Sequence, residues 1–370
     1  MAPGSNRPEP IQLSSDRVQE SPEPARHPAS GDSPRPTQVR DGKMLADAVA
    51  ALGYHPVVVF GNSNSGKTTM LLSLFALLMT NEMRIGIRLG EPLIDIGQPT
   101  GLESWERAQR LFGEATQRFI QGQAPNATAT REPFFVPLII TPPPPLPEVK
   151  IALMESNGEW YRPDWDTPAL LPSFRKQIED FIVHFPRAIT FIHAVPRTQL
   201  AIGSTQGVSG DDSNLIREAD LAIVGAVSNY SRLRTDRSDD YHALLITKWD
   251  AHSWVAGGGD VVEVLTSPDE AVDHFVESNC PQSKAALRGL NLADGHFIVK
   301  PYCAGRIVGR DVVAFPADSQ LGPIIQAYPK RLWNWIYRQA SGGFELLAEP
   351  PKPWPVRIAE GLLGWIGRIE

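Results

Sequence analysis

The chain has 370 residues, 42% hydrophobic and 21% charged, which is ordinary for a globular protein and enough for one large core. A formal net charge of −7 excludes a bulk attraction to nucleic acid or anionic lipid, and two cysteines, Cys280 and Cys303, exclude a disulfide framework. The longest apolar run, 70–79, is about half the roughly 20 residues a bilayer span needs, and the first residues lack a secretory signal's apolar stretch, so a cytoplasmic location is expected.

Residues 1–42 are rich in Pro, Ser, Glu and Arg and nearly devoid of large apolar side chains. Such a segment cannot offset its ordering entropy and reads as a disordered tail, or as a tether for a partner. Globular patterning then defines a domain at 43–340. Its first elements are a short helix at 44–52, a wholly apolar strand at 57–60, a helix at 68–82 and a strand at 84–89. An amphipathic helix follows at 104–121, with Trp105, Ala108, Leu111, Phe112, Ala115 and Phe119 at helical spacing. Strands at 134–141 and 149–154 are joined by the proline tract 142–147, which cannot donate to a sheet ladder and so forms their connection.

The pattern continues with a helix at 170–184, a strand at 189–195, a helix at 214–227, a strand at 243–247, a helix at 268–278, a strand at 297–301 and a closing helix at 324–339. This alternation predicts an α/β domain with a largely parallel sheet. Residues 341–370 form a Gly- and Pro-rich linker and a short amphipathic helix, with Ile358, Leu362, Trp365, Ile366 and Ile369 on one face. So short a helix is marginal alone in water. It packs back on its own domain or binds a partner; membrane contact is the weakest reading, because Arg357 and Arg368 are offset by Glu360 and Glu370.

The strand at 57–60 runs into Gly61-Asn62-Ser63-Asn64-Ser65-Gly66-Lys67-Thr68, which fits G-x-x-x-x-G-K-[ST] and is followed at once by a helix. The two glycines let backbone N–H groups curl around a β-phosphate, and the helix adds its positive end. Lys67 reaches the β- and γ-phosphates, the Thr68 hydroxyl is a Mg²⁺ ligand, and Thr69 lies near the α-phosphate.

Farther along, the strand at 243–246 leads into Thr247-Lys248-Trp249-Asp250. An Asp250 carboxylate accepts two hydrogen bonds from the ring N–H and amino group of guanine, a donor pair that adenine lacks. The Lys248 stem lies along the purine, Thr247 braces the loop, and Trp249 is either exposed or packed under the base. Small residues in Tyr302-Cys303-Ala304-Gly305 would let a backbone N–H at Cys303 or Ala304 approach the guanine oxygen.

On these motifs, with Glu155-Ser156-Asn157-Gly158-Glu159 between them, residues 57–339 resemble the Ras-like P-loop GTPases, most closely the bacterial double-GTPase-type families. The resemblance implies a P-loop NTPase fold, a largely parallel sheet with helices on both faces, and Ras-like strand order with an insertion between the first helix and the second core strand. It places Glu155 where an aspartate normally holds Mg²⁺ through water, Gly158 at the γ-phosphate, and Glu159 where many such enzymes orient the attacking water. A switch threonine, also a metal ligand, falls just before the 134–141 strand, Thr128 being preferred over Thr130. The implied activity is a GTP/GDP switch that hydrolyses GTP with Mg²⁺ and signals to a protein effector or adaptor, with a homodimer left open. The alternatives are an ATPase using Glu155 as catalytic base, and a non-hydrolysing pseudo-GTPase scaffold.

Overall fold

The structure, a computed structural model, describes residues 42–62, 65–80, 83–93, 99–123, 125, 134–155, 171–197, 211–234, 238–249, 268–308, 311–313 and 321–346. Seven strands, β1 (His55–Phe60), β2 (Gly86–Leu89), β3 (Phe134–Thr141), β4 (Val149–Glu155), β5 (Thr190–Pro196), β6 (Tyr241–Thr247) and β7 (Phe297–Pro301), form one sheet. Their spatial order is β2–β3–β4–β1–β5–β6–β7. The five strands from β4 to β7 are mutually parallel, whereas β3 is antiparallel to both of its neighbours.

The wholly apolar strands follow from burial on both faces. Val57 and Val59 of β1 join a core with α2 (Lys67–Met79), while Val58 and Phe60 face the opposite way, into a core with α1 (Gly42–Ala51) and α5 (Leu171–His184). Helix α2 is apolar nearly all round because it is itself covered. The helix formed by α3 (Pro99–Arg110), a π turn (Leu111–Ala115) and α4 (Thr116–Ile120) packs Phe119 against its Leu72 and Ala76. In the π turn Thr116 Oγ1 donates to Leu111 O at 2.9 Å, and Phe112 meets Phe75 of α2 edge-on.

The remaining helices are α6 (Asp211–Leu233), α7 (Pro268–Asn279), α8 (Pro281–Arg288) and α9 (Leu321–Ser341), with a small antiparallel hairpin of β8 (Arg306–Val308) and β9 (Asp311–Val313). Setting β2 aside, the strand order is Ras-like, with the segment inserted between α2 and β3 supplying β2, α3 and α4. This is an α/β P-loop NTPase fold, as the sequence predicts.

Element boundaries differ in instructive places. The helix expected from 104 begins at Pro99, and the one expected over 214–227 runs from Asp211 to Leu233. Helix α8 and the β8–β9 hairpin are additions. Helix α8 has a weak apolar signature, yet its N-terminus is secured from α6, where Asp220 Oδ1 accepts the Ser283 N–H at 2.8 Å. Its buried Lys284 is matched by Asp273 and Glu277. The expectations for the N-terminal tail and the C-terminal amphipathic helix fall outside the described residues.

Three histidines are committed to this interior. His193 and His242, on adjacent strands β5 and β6, bring ring nitrogens within 3.2 Å, His193 stacking on Phe60 and His242 on Phe191. Burial pushes His193 down to about 3 and His242 well below its ordinary value. Burial, helped by the charge of Arg187, takes His55 to about 4. The unfolded chain, with histidines near 6.5, therefore binds more protons than the folded one below that pH. Their contribution is fully present above pH 6.5 and is lost as pH falls below it, at up to about 1.4 kcal/mol per pH unit for each histidine. Urea unfolding between pH 7.5 and 4.5 is expected to show a steep loss of stability, and His193→Phe is expected to flatten that slope.

Candidate nucleotide-binding site

The phosphate loop leaves β1 at Gly61, where close approach demands the absence of a side chain. A Cβ there would lie 2.5 Å from Ser65 Oγ and 2.7 Å from Ala194 O on β5. Gly66 caps α2 in the left-handed region (φ 82°), a conformation costing roughly 1–2 kcal/mol for other residues. Between them the chain closes on itself, Ser65 N–H donating to Asn62 O at 3.1 Å. The start of α2 thus supplies N–H groups that a helix cannot satisfy internally, which makes it an anion site.

Lys67 is buried, and its ammonium donates to Gly61 O (2.8 Å), Asn62 O (3.0 Å) and Ser65 Oγ (3.4 Å). Burial lowers its pKa to about 8, against an upward pull from Glu155. Asn62 is itself buried, and its Oδ1 has no hydrogen-bond partner among the described residues. One residue on, the Thr68 hydroxyl donates to Glu155 Oε1 at 2.7 Å. Glu155 is 1% exposed at the C-terminal end of β4, so α2 and β4 present a hydroxyl and a carboxylate side by side. This fits Mg²⁺, which favours oxygen ligands and takes one or two carboxylates with water and substrate phosphate for the rest. Among the described residues no group of three or more His, Cys, Asp or Glu is placed to hold a metal ion. Thr69 follows on α2, half-buried.

The strand β6 ends beside this loop. Thr247 Oγ1 donates to Ser65 O at 2.6 Å and lies 3.2 Å from Val195 O, bracing the phosphate loop against β5. Lys248 then turns the chain through the left-handed region (φ 55°). Strain of that kind costs on the order of 1–3 kcal/mol and gathers at functional turns.

Trp249 corrects an expectation, being neither exposed nor available to a base. It is fully buried, with the Arg197 guanidinium 4.2 Å from its ring centroid and Phe275 of α7 edge-on to it at 6.2 Å. Its backbone N–H donates to Tyr302 O at 3.2 Å, joining this loop to the one after β7. There the Tyr302 hydroxyl meets Ser73 Oγ of α2 at 2.6 Å, Cys303 is buried, and Ala304 is half-buried.

The fold therefore gathers Gly61, Asn62, Ser65, Gly66, Lys67, Thr68, Thr69, Glu155, Thr247, Lys248, Cys303 and Ala304 at the C-terminal ends of β1, β4, β6 and β7, the ligand-binding end of such sheets. Ser63, Asn64, Thr128, Gly158, Glu159 and Asp250 lie outside the described residues. The sequence reading passed over Arg197, Ser73 and the Tyr302 side chain. Nothing local marks them, since their partners lie 52, 229 and 229 residues away in the chain, respectively.

No family model and no curated protein matches the chain. Among solved structures it is similar to a dimerization-deficient mutant of Toc33 from Arabidopsis thaliana, with 9% identity over 82% of this chain and 93% of that one, at a TM-score of 0.33. It is also similar to the GTPase-like domain of Ski7 from S. cerevisiae. The form bound to GDP and inorganic phosphate has 13% identity over 75% of this chain and 50% of that one, at 0.32. The GTP-bound form has 12% identity over 75% and 51%, also at 0.32. These likenesses are distant, and the assignment of the site rests on its own geometry. That geometry is a P-loop NTPase fold with the phosphate loop, the Thr68–Glu155 pair and the Thr247 brace at one end of its sheet.

Proposed function

We propose that the protein is a guanine-nucleotide switch that binds GTP and GDP with Mg²⁺, hydrolyses GTP slowly to GDP and phosphate, and signals the difference to a protein effector or adaptor. One observation carries this reading: the 2.6 Å hydrogen bond from Thr247 to Ser65 O, which couples the Thr-Lys-Trp-Asp motif directly to the phosphate loop. That coupling supports a reading in which the motif's last residue, Asp250, meets the base of a nucleotide whose phosphates occupy the loop. Asp250 would accept guanine's paired N–H donors, each charge-assisted bond being worth about 1.5–3 kcal/mol.

In this reading the N–H groups at the start of α2 hold the phosphates, and Lys67 offsets their charge. Thr68 and Glu155 would hold Mg²⁺, Thr128 completing the set when the γ-phosphate is present. A Mg²⁺ held by these residues would supply positive charge against the nucleotide's phosphates. Gly158 N–H would meet the γ-phosphate while Glu159 orients the attacking water. The segments 124–130 and 156–166 are then the natural reporters, because phosphate loss releases contacts of this kind. The hydrogen bond Thr68 makes to Glu155 supports a metal-holding role for that carboxylate over the role of a general base. A bacterial defence or signalling setting is an analogy from the resemblance alone.

The test is calorimetric titration of nucleotide-stripped protein with GDP and with ADP, both in Mg²⁺, followed by a phosphate-release assay with GTP. GDP is expected to bind at least about tenfold tighter, a difference of about 1.4 kcal/mol. Equal or reversed affinity overturns the guanine reading in favour of an ATPase, and tight GTP binding without any release favours a scaffold.

A further inference from the structure

We infer that Arg197 is a positioning residue for base recognition, acting through Trp249. This rests on the nucleotide-binding reading above but names a residue outside every motif. Arg197 directly follows β5, and its backbone N–H donates to Thr247 O at 3.0 Å. Its guanidinium lies over the Trp249 indole at 4.2 Å and near the Phe275 ring at 5.2 Å. The Nη1 atom is buried with no hydrogen-bond partner among the described residues, and burial lowers the pKa of the side chain to about 10. A charge drawn even partly out of water is costly. The guanidinium rests against two aromatic rings, and a cation–π contact strengthens as it is withdrawn from water.

The arrangement places this contact where it controls loop geometry. Trp249 immediately precedes Asp250 and immediately follows Lys248, whose left-handed backbone must be held by its surroundings. Trp249 N–H is hydrogen-bonded to Tyr302 O, and the Tyr302 hydroxyl is anchored on Ser73 in the phosphate helix. Arg197 therefore clamps, at one point, the Thr247–Trp249 turn and, through it, the loop after β7. The phosphate loop keeps independent supports: the Lys67 bonds to its carbonyls, the Thr68–Glu155 pair, and Thr247 on Ser65 O. Loss of the clamp should loosen the base side and spare the phosphate side.

The experiment compares wild type, Arg197→Met and Arg197→Lys for binding of GDP, ADP and inorganic pyrophosphate, each with Mg²⁺. Arg197→Met keeps the length of the stem but not the charge, and Arg197→Lys restores a cation. The expected result is a loss of about tenfold in affinity for the preferred nucleoside diphosphate in Arg197→Met. Pyrophosphate affinity should be unchanged, the GDP-to-ADP ratio should move toward one, and Arg197→Lys should recover much of the loss. Parallel loss of GDP and pyrophosphate would indicate a merely structural role and overturns the inference, as does unchanged GDP binding in Arg197→Met. The failure of the guanine reading is separable. If wild type prefers ADP, that reading falls, and the clamp is still judged by the ratio of ADP to pyrophosphate affinity.

Discussion

Lys67→Ala is expected to weaken GDP binding by about a hundredfold or more while leaving a folded protein. Hydrogen bonds to charged partners contribute about 1.5–3 kcal/mol each, and this ammonium is placed to serve more than one phosphate oxygen. In the structure its donors rest on Gly61 O, Asn62 O and Ser65 Oγ. It is thus aimed at the centre of the loop and needs little reorganisation to meet a ligand there. Removal costs those carbonyls a partner, but it also removes a charge whose burial is unfavourable enough to lower its pKa to about 8. The two effects on stability oppose each other, so thermal unfolding without nucleotide should shift little. Calorimetric affinity with an unfolding scan on the same samples checks both halves; a collapsed unfolding transition in Lys67→Ala would assign the residue to structure instead.

The depressed value gives the same lysine a pH signature. Phosphate binding favours the protonated form and raises its pKa, so binding takes up a proton wherever the free side chain is neutral. Below about pH 8 Lys67 is already protonated and GDP affinity should not vary with its titration; above that pH affinity should fall, by at most about tenfold per pH unit. The dependence must be absent from Lys67→Ala, which separates it from other groups that titrate in alkali.

Much of this site was legible because its chemistry is local. Gly61 and Gly66 stand at the two glycine positions of the G-x-x-x-x-G-K-[ST] run, and the structure gives the physical reason in each case, a blocked Cβ at one and a left-handed turn at the other. The sheet was legible because strands buried on both faces read as unbroken apolar runs, as in Val57–Phe60 and Ala243–Ile246. Glu155 was found by its position after a strand, and its neighbour Thr68 by the loop motif, but their contact belongs to the fold. What stayed hidden shares one property: the stabilising partner is distant in sequence. Helix α8 depends on Asp220 from α6, and the environment of Trp249 is made by Arg197 and Phe275. From sequence alone an indole next to Asp250, the candidate base reader, invites a stacking role, whereas the three-dimensional packing buries it in the core.

Arg234→Ala is expected to destabilise the fold by about 3–5 kcal/mol, the usual cost of breaking a buried ion pair by removing one partner. Arg234 Nε and Nη2 donate to the two oxygens of Asp240 at 2.7 and 2.9 Å. Its remaining donors reach Ile182 O, Phe185 O and Arg187 O, which ties the end of α5 to the strand edge. Asp240 is completed by Ile189 N–H and the Tyr230 hydroxyl, both at 2.7 Å. Burial pushes the Asp240 carboxyl above its ordinary range, and the Arg234 charge is the chief force holding it back. Without Arg234 the carboxyl climbs further and can be accommodated only by taking up a proton. A carboxyl whose folded pKa exceeds its unfolded value favours the folded state in acid and penalises it as pH rises. The deficit of Arg234→Ala relative to wild type should therefore be largest at pH 7.5 and smaller at pH 5. Urea unfolding of both proteins at the two pH values tests the sign. A deficit equal at the two pH values would show that the lost backbone bonds to α5, rather than the stranded carboxylate, dominate the cost.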